Sequence, residues 1–220
     1  MANKYLPINL SMRNRSCLIV GGGQVALRKI EYLLDYDTQI TVVAPEIDKR
    51  IEFYAEKNKL TVEKRKYKSP EAASYGLVIS ACDDNKVNEQ VSADCRAARV
   101  PVNVVDNPPL CDIIFPAVLR RDCLTVAVST DGKAPYMAGF LRMILEDVFP
   151  KQWNQIAAMA ASFRKMVQKR WPDNALKRTD CFNRFLQTDW KTLIDEKKEA
   201  ELKNYLECLL EDQENEEENT

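Results

Sequence analysis

Short apolar runs alternate with amphipathic stretches through the first half of the chain. Cys17-Leu18-Ile19-Val20 is unbroken and stops at Gly21-Gly22-Gly23. The next residues repeat at helical spacing, with Val25, Ala26, Ile30, Leu33 and Leu34 on one side and Arg28, Lys29 and Glu31 outward. Ile40-Thr41-Val42-Val43 predicts a second strand, closed by Ala44-Pro45, and a charged helix follows over about 47–58. Leu60-Thr61-Val62 and Leu77-Val78-Ile79-Ser80 predict a third and a fourth strand, with a helix over about 86–99 behind the fourth. Val102-Asn103-Val104-Val105 predicts a fifth, ending at Asp106. Strands that are apolar throughout and separated by helices suit a parallel sheet covered on both faces, so the fold class is α/β.

The period changes after Pro108-Pro109. Residues 113–119 and 123–128 predict two strands joined across Arg120-Arg121-Asp122, a hairpin. From Ala134 the pattern is helical: an apolar helix over 134–149 stopped by Pro150, and an amphipathic one over 153–170 ended by Pro172. A third is predicted near 180–186, and a long charged one from 189 to about 210. The hairpin and the 134–149 helix are too apolar to face water, and a second copy of the chain is the simplest cover, which predicts a homodimer.

Composition narrows the classes. A chain of 220 residues can bury one large core, or a nucleotide-binding domain with a helical annex. A net charge of −1 gives no general attraction to nucleic acid or to an acidic membrane surface, so neither is expected as a partner. The last ten residues hold six acids and no base, and predict a solvated or disordered tail. No run approaches the ~20 apolar residues that span a bilayer, and MANKYLPINL lacks the layout of a signal peptide; the expected location is cytoplasmic. The seven cysteines contain no CxxC pair and are expected reduced, with Cys17 and Cys123 as core fillers. Histidine is absent, and no resident metal is expected.

Gly21-Gly22-Gly23-Gln24-Val25-Ala26 fits G-x-G-x-x-A directly after a strand and at the start of a helix, the context that gives this pattern meaning. Gly21 allows the tight turn, Gly23 lets the backbone approach a pyrophosphate, and Ala26 keeps helix and strand close. Glu46 lies 23 positions beyond Gly23, where an acid can accept from ribose hydroxyls, and no arginine stands at that tip for a 2′-phosphate; the expected cofactor is NAD. Glu46 also fits the first turn of the next helix. Ligands of such sheets collect beyond the carboxyl ends of the strands. There Asp83 and Asp84 read as helix caps, whereas Asp106 has no helix of its own to cap and is the acid/base candidate. A plain turn acid before proline is the competing reading.

With these residues in place, the chain resembles the precorrin-2 dehydrogenase family, the dehydrogenase and ferrochelatase part of siroheme synthases. The likeness runs from Tyr5 to about Arg184. It is carried by Leu6-Pro7-Ile8, the strand and glycine turn with Arg28-Lys29, Ala81-Cys82-Asp83-Asp84 with Val87-Asn88, Asn103-Val104-Val105-Asp106, Ile114-Phe115-Pro116-Ala117, and the run from Val126 to Pro135. The resemblance implies an NAD-binding Rossmann-type domain over 1–112, a dimerisation region over 113–150, a helical tetrapyrrole-binding domain over 151–210 and the acidic tail over 211–220. It implies NAD-dependent oxidation of precorrin-2 to sirohydrochlorin. Two alternatives are an enzyme that also inserts ferrous iron, and a non-catalytic carrier of dinucleotide or tetrapyrrole. By motif, NAD contacts fall on Gln24 and Val25 and on Pro45 and Glu46, and the essential aspartate on Asp106. Thr130 stands where some members have a second serine. A polycarboxylate substrate needs basic surface, and residues 151–184 hold eight bases (Lys151, Arg164, Lys165, Lys169, Arg170, Lys177, Arg178 and Arg184) against two acids.

Overall fold

The structure, a computed structural model, describes residues 4–196 and 199–211. Contacts divide the chain into two units, one running to Phe115 and taking in Asp131–Lys133, the other holding Pro116–Thr130 and the chain from Ala134 onward. In the first unit β1 (Arg15–Val20), β2 (Thr38–Val43), β3 (Thr61–Glu63), β4 (Leu77–Ser80) and β5 (Val102–Val104) form one sheet in the order β3-β2-β1-β4-β5. All four pairings are parallel. Three helices complete the alternation: α1 (Gln24–Leu33), α2 (Lys49–Glu56) and α3 (Asn85–Ala98).

The period of two in β1 sorts its side chains between two cores. Cys17 and Ile19 pack with Ala26, Leu27, Ile30 and Leu33 of α1, while Leu18 and Val20 pack with Val91 and Cys95 of α3. Burying one Leu or Ile in this way contributes about 1.5–3 kcal/mol. The inward face of α1 differs from the expected one: Leu27 is buried, Leu34 is only half-buried, and Val25 is 41% exposed. Lys29, expected outward, is half-buried. The chain crosses from β3 on one side of β1 to β4 on the other, so the strand order reverses between β1 and β4. A crevice opens at such a switch point, beyond the strands' carboxyl ends.

Ile113–Pro116, expected in the first hairpin strand, is not extended sheet. The Ile113 and Phe115 side chains join the core of the first unit, and the Ile113 carbonyl accepts from Asn103 Nδ2 at 3.0 Å. Pro116 has no N–H to give a ladder, and β6 starts just after it. In the second unit β6 (Ala117–Arg121) and β7 (Leu124–Val128) pair antiparallel, and α4 (Pro135–Val148) packs on them. Cys123 is exposed rather than a core filler, because it follows Asp122 at φ 52° in the hairpin turn. The helices α5 (Trp153–Arg170), α6 (Ala175–Gln187), α7 (Trp190–Glu196) and α8 (Glu199–Cys208) enclose a separate core of Ile156, Phe163, Val167, Cys181, Phe185, Trp190 and Leu206. Within the helix expected from 189 to 210, Trp190–Glu196 and Glu199–Cys208 are helical, while residues 197–198 and the tail beyond 211 lie outside the described residues. Among the described residues no helix is long and apolar enough to cross a membrane.

Candidate functional site

The glycine turn is threaded between two backbone carbonyls. Gly21 has φ 123°, and a Cβ there would stand 2.2 Å from the Ala81 carbonyl oxygen at the tip of β4. A Cβ on Gly22 would stand 2.1 Å from the Glu46 carbonyl oxygen beyond β2. Backbone hydrogen bonds close the arrangement: Gly21 N–H to Val43 O at 3.0 Å, Ala81 N–H to Val20 O at 2.7 Å, and Asp48 N–H to Gly22 O at 2.8 Å. The turn and the tips of β2 and β4 are therefore one rigid assembly. Gly22, a free position in the motif, is as crowded as Gly21. Three consecutive glycines were the signal for it.

Gly23 is different. It is the N-cap of α1 with φ −90° and ψ −168°, makes no side-chain cap, and an added Cβ would meet nothing within 4 Å. No acid lies in the first turn of α1. The first backbone N–H groups of α1 thus keep their unmet demand for an acceptor, with the positive end of the helix dipole behind them. Open space above a glycine at that place suits a pyrophosphate.

Around this cradle the expected residues separate. Gln24 is exposed, but its Nε2 donates to Asp48 Oδ2 at 2.5 Å, and Asp48 also caps α2 by accepting from the Arg50 N–H at 2.8 Å. Pro45 and Glu46 are exposed at the end of β2. Helix α2 begins only at Lys49 and carries Glu52 as its first-turn acid, so Glu46 is not a residue of that turn. The Arg50 guanidinium is held by Glu31, which also accepts from Tyr54 Oη at 3.3 Å. Of the two aspartates after β4, Asp84 caps α3 by accepting from the Lys86 N–H at 2.9 Å.

Asp106 is exposed in a left-handed turn, φ 58°, just beyond β5. Its backbone is tied down from both sides. Val105 N–H bonds to Ser80 O at 2.9 Å, and Asn107 N–H to Val104 O at 3.2 Å. Cys111 Sγ lies 3.1 Å from Val104 O and 3.4 Å from Asn107 O, and burial raises its thiol pKa, which keeps the sulfur neutral. Among the described residues no hydrogen bond reaches the Asp106 carboxylate, so it is free to accept from a ligand. Sequence reading missed Lys29. Its Nζ stands 4.4 Å from the Phe115 ring centroid. Burial lowers the pKa of its ammonium, opposed first by the charge of Asp106. Its spacing from Ala26 and Leu33 was a signal, since it sets Lys29 on the flank of the buried stripe.

In the second unit Lys151, Arg164, Lys165, Lys169 and Arg170 are exposed. Arg178 and Arg184 are occupied otherwise. Arg178 Nη1 donates to Trp171 O at 2.8 Å, and Arg184 Nη1 donates to Glu211 O at 2.6 Å. Thr130 Oγ1 accepts from the Ala134 N–H at 3.1 Å, fixing the entry to α4.

The family model described as "Putative NAD(P)-binding" matches residues 8–117. The siroheme synthase of Pseudomonas putida (strain W619) is 44% identical over 169 residues, 77% of this chain and 36% of that protein. The siroheme synthase of Methylococcus capsulatus is 39% identical over 174 residues, 79% of this chain and 37% of that protein. The chain spans little more than a third of the length of these relatives. Among solved structures, SirC, a precorrin-2 dehydrogenase, superposes with a TM-score of 0.74 over 93% of this chain and 98% of that one, at 22% identity, a likeness of fold.

Proposed function

The chain belongs to the NAD(P)-binding family, and from that premise we propose that it oxidises precorrin-2 to sirohydrochlorin with NAD. The observation that carries the reading is the free carboxylate of Asp106 in a clamped turn at a strand tip, on the sheet whose glycine turn holds the open cradle at Gly23. The relatives named siroheme synthase and the fold shared with a precorrin-2 dehydrogenase supply the substrate class. NAD, when bound, supplies the hydride acceptor.

The chain's own residues do the rest. The backbone N–H groups at Gly23, Gln24 and Val25 hold the pyrophosphate, and Gly21 and Gly22 keep that backbone in place. Pro45 and Glu46 border the adenosine ribose, where the Glu46 carboxylate accepts from its hydroxyls. Asp106 takes a proton from the substrate as the carbon is oxidised, and gives it up to solvent afterwards. The exposed bases of α5 hold substrate carboxylates. A face of Met137, Phe140, Leu141, Ile144 and Val148 on α4, each at least 38% exposed, is covered by a second copy in a homodimer. The relatives' name also points to iron insertion, with ferrous iron as substrate and Asp106 collecting the pyrrole protons.

Asp106→Asn tests the reading. With NAD and precorrin-2 supplied anaerobically, the oxidation rate should fall by the ~10²–10⁴-fold typical of a lost general base, with NAD affinity kept. Ferrous iron added to the same reaction should be inserted more slowly by the variant. A rate near that of the unaltered protein would overturn the role of Asp106.

A further inference from the structure

We infer that Asn88 is a positioning residue for Asp106: its buried amide clips the tip of β4, the wall shared by the glycine turn and the turn that carries the carboxylate. The inference rests on the reading of Asp106 as the proton-handling group. Asn88 belongs to the inward stripe of α3, with Val91, Ser92 and Cys95 following at helical spacing, and it is 5% exposed. For packing alone an apolar side chain would suit that position, as Val91 does one turn on. β4 shows the same departure. Leu77, Val78 and Ile79 are apolar and buried, and the strand ends on Ser80, 1% exposed. A buried polar group is tolerated where it is hydrogen-bonded. These two are bonded to each other and to the strand end: Ser80 Oγ donates to Asn88 Oδ1 at 2.6 Å, and Asn88 Nδ2 donates to the Cys82 carbonyl at 2.8 Å. One amide therefore grips the tip at residues 80 and 82, with Ala81 between them.

That short span touches both halves of the site. On one side Ala81 N–H bonds to Val20 O at 2.7 Å, and the Ala81 carbonyl leaves no room for a Cβ on Gly21. On the other side the Ser80 carbonyl accepts from Val105 N–H at 2.9 Å, and Asp106 is the next residue. The path from amide to acid runs Asn88, Ser80, Val105, Asp106, each link a hydrogen bond or the chain itself. The two sides do not depend equally on the clip. The glycine turn has its own ties toward β2, through Gly21 N–H to Val43 O and Asp48 N–H to Gly22 O. The Asp106 turn reaches β4 through the Val105 bond to Ser80, the residue whose side chain Asn88 holds. Its other fastenings, from Asn107 N–H and Cys111 to Val104 O, run to β5 itself and do not set the turn against the glycine cradle. A carboxylate that takes a proton must stand at a fixed place relative to the cofactor, and the tip of β4 is what both turns share. A loosened tip leaves the cradle standing and lets the acid wander.

Asn88→Leu, which keeps the branched shape of asparagine and drops its amide, tests this on the whole chain. Amide hydrogen exchange followed by NMR needs no turnover. The Val105 N–H should exchange about tenfold faster in the variant, while the Gly21 N–H, bonded to Val43 O, keeps its protection. Unchanged protection at Val105 overturns the clip, and an equal loss at Gly21 overturns it as general loosening. With NAD and precorrin-2 supplied, kcat should fall by about tenfold, within what a small misplacement of a reacting group costs, and NAD affinity by titration calorimetry should hold. Added to Asp106→Asn, Asn88→Leu should slow oxidation no further. An equal further loss in that background, or a loss of NAD affinity as large as that of kcat, refutes action through Asp106. Ser80→Ala removes a single oxygen from the same clip and is the variant to read if leucine prevents folding. Val105 exchange and kcat should then move in the same directions by a smaller amount, and both unmoved would overturn the clip. Full activity of Asp106→Asn alone would instead strike at the functional reading, while unmoved Val105 exchange strikes at the clip.

Discussion

One added methyl group, placed at Gly22 or at Gly23, separates the two tasks of the glycine turn. At Gly22 the new Cβ would lie 2.1 Å from the Glu46 carbonyl oxygen and 2.9 Å from Ile47 Cδ1. The first obstacle is backbone, so the segment between β2 and α2 must move, and the 2.8 Å bond from Asp48 N–H to Gly22 O is lost with it. Overpacking of this kind costs ~1–3 kcal/mol, and the lost hydrogen bond about 1 kcal/mol more. Each kcal/mol lowers Tm by about 2–4 °C in a chain of this size. At Gly23 the methyl group meets no protein atom within 4 Å, and the backbone is one that alanine adopts. Alanine is a poorer N-cap than glycine, a penalty of about 0.5 kcal/mol. The same methyl group, however, occupies the space into which a pyrophosphate must come to reach the α1 backbone. Gly23→Ala should therefore melt within about 2 °C of the unaltered protein, yet bind NAD at least tenfold more weakly, about 1.4 kcal/mol. Thermal unfolding without NAD and titration calorimetry with it measure the two quantities separately. A Gly23→Ala variant that binds NAD undiminished would refute the cradle, and one that melts as low as Gly22→Ala would refute the open space.

Three further outcomes follow from the surfaces. NAD should bind more tightly than NADP, because Glu46 repels a 2′-phosphate and Glu31 already holds the Arg50 guanidinium; calorimetry showing equal affinities would remove Glu46 from the ribose. Light scattering at micromolar concentration should give a dimer, since the apolar face of α4 and the hairpin beneath it can supply the ~1,000 Å² that a specific interface needs; a monomer sinks that assignment. Arg164→Glu with Lys169→Glu, both exposed on α5, should weaken tetrapyrrole binding and leave NAD affinity alone, whereas loss of both would show misfolding.

What the sequence made legible is what local physics determines. The strand Leu77–Ser80 and the helix Trp153–Arg170 lie where the apolar pattern put them. The first is a run of four apolar or small residues behind a glycine, and the second lies between Pro150 and Pro172, which end helices on either side. Cys17 is a core residue for the reason given, but the same reasoning failed at Cys123. An apolar neighbourhood says nothing about the hairpin turn, in which Asp122 takes up a left-handed backbone. The glycine turn could be read as a cradle because its motif is contiguous. Its crowding by Ala81 and Glu46 could not, because those carbonyls come from strands that meet it only once the sheet is formed. Lys29 was assigned outward for being charged, and only the arrival of Phe115 from the far end of the first unit makes it a buried neighbour.

The left-handed turn at Asp106 decides which substitution can answer the question put to it. A residue at φ 58° with a β-carbon is strained by about 1–2 kcal/mol, and aspartate and asparagine bear it best because their short polar side chains bond locally. Asp106→Ala would remove the carboxylate and raise the strain of the turn together. Val105 N–H and Cys111 are fastened to that same turn, so the strain would pass to β4 and to the tip of β5. A slow Asp106→Ala enzyme would then show a displaced loop as readily as a missing base. Asp106→Asn keeps the backbone preference, the size and one carbonyl acceptor, and loses only the negative charge and the ability to take a proton at neutral pH. If its rate falls while its melting temperature and NAD affinity hold, the loss belongs to the proton and not to the turn.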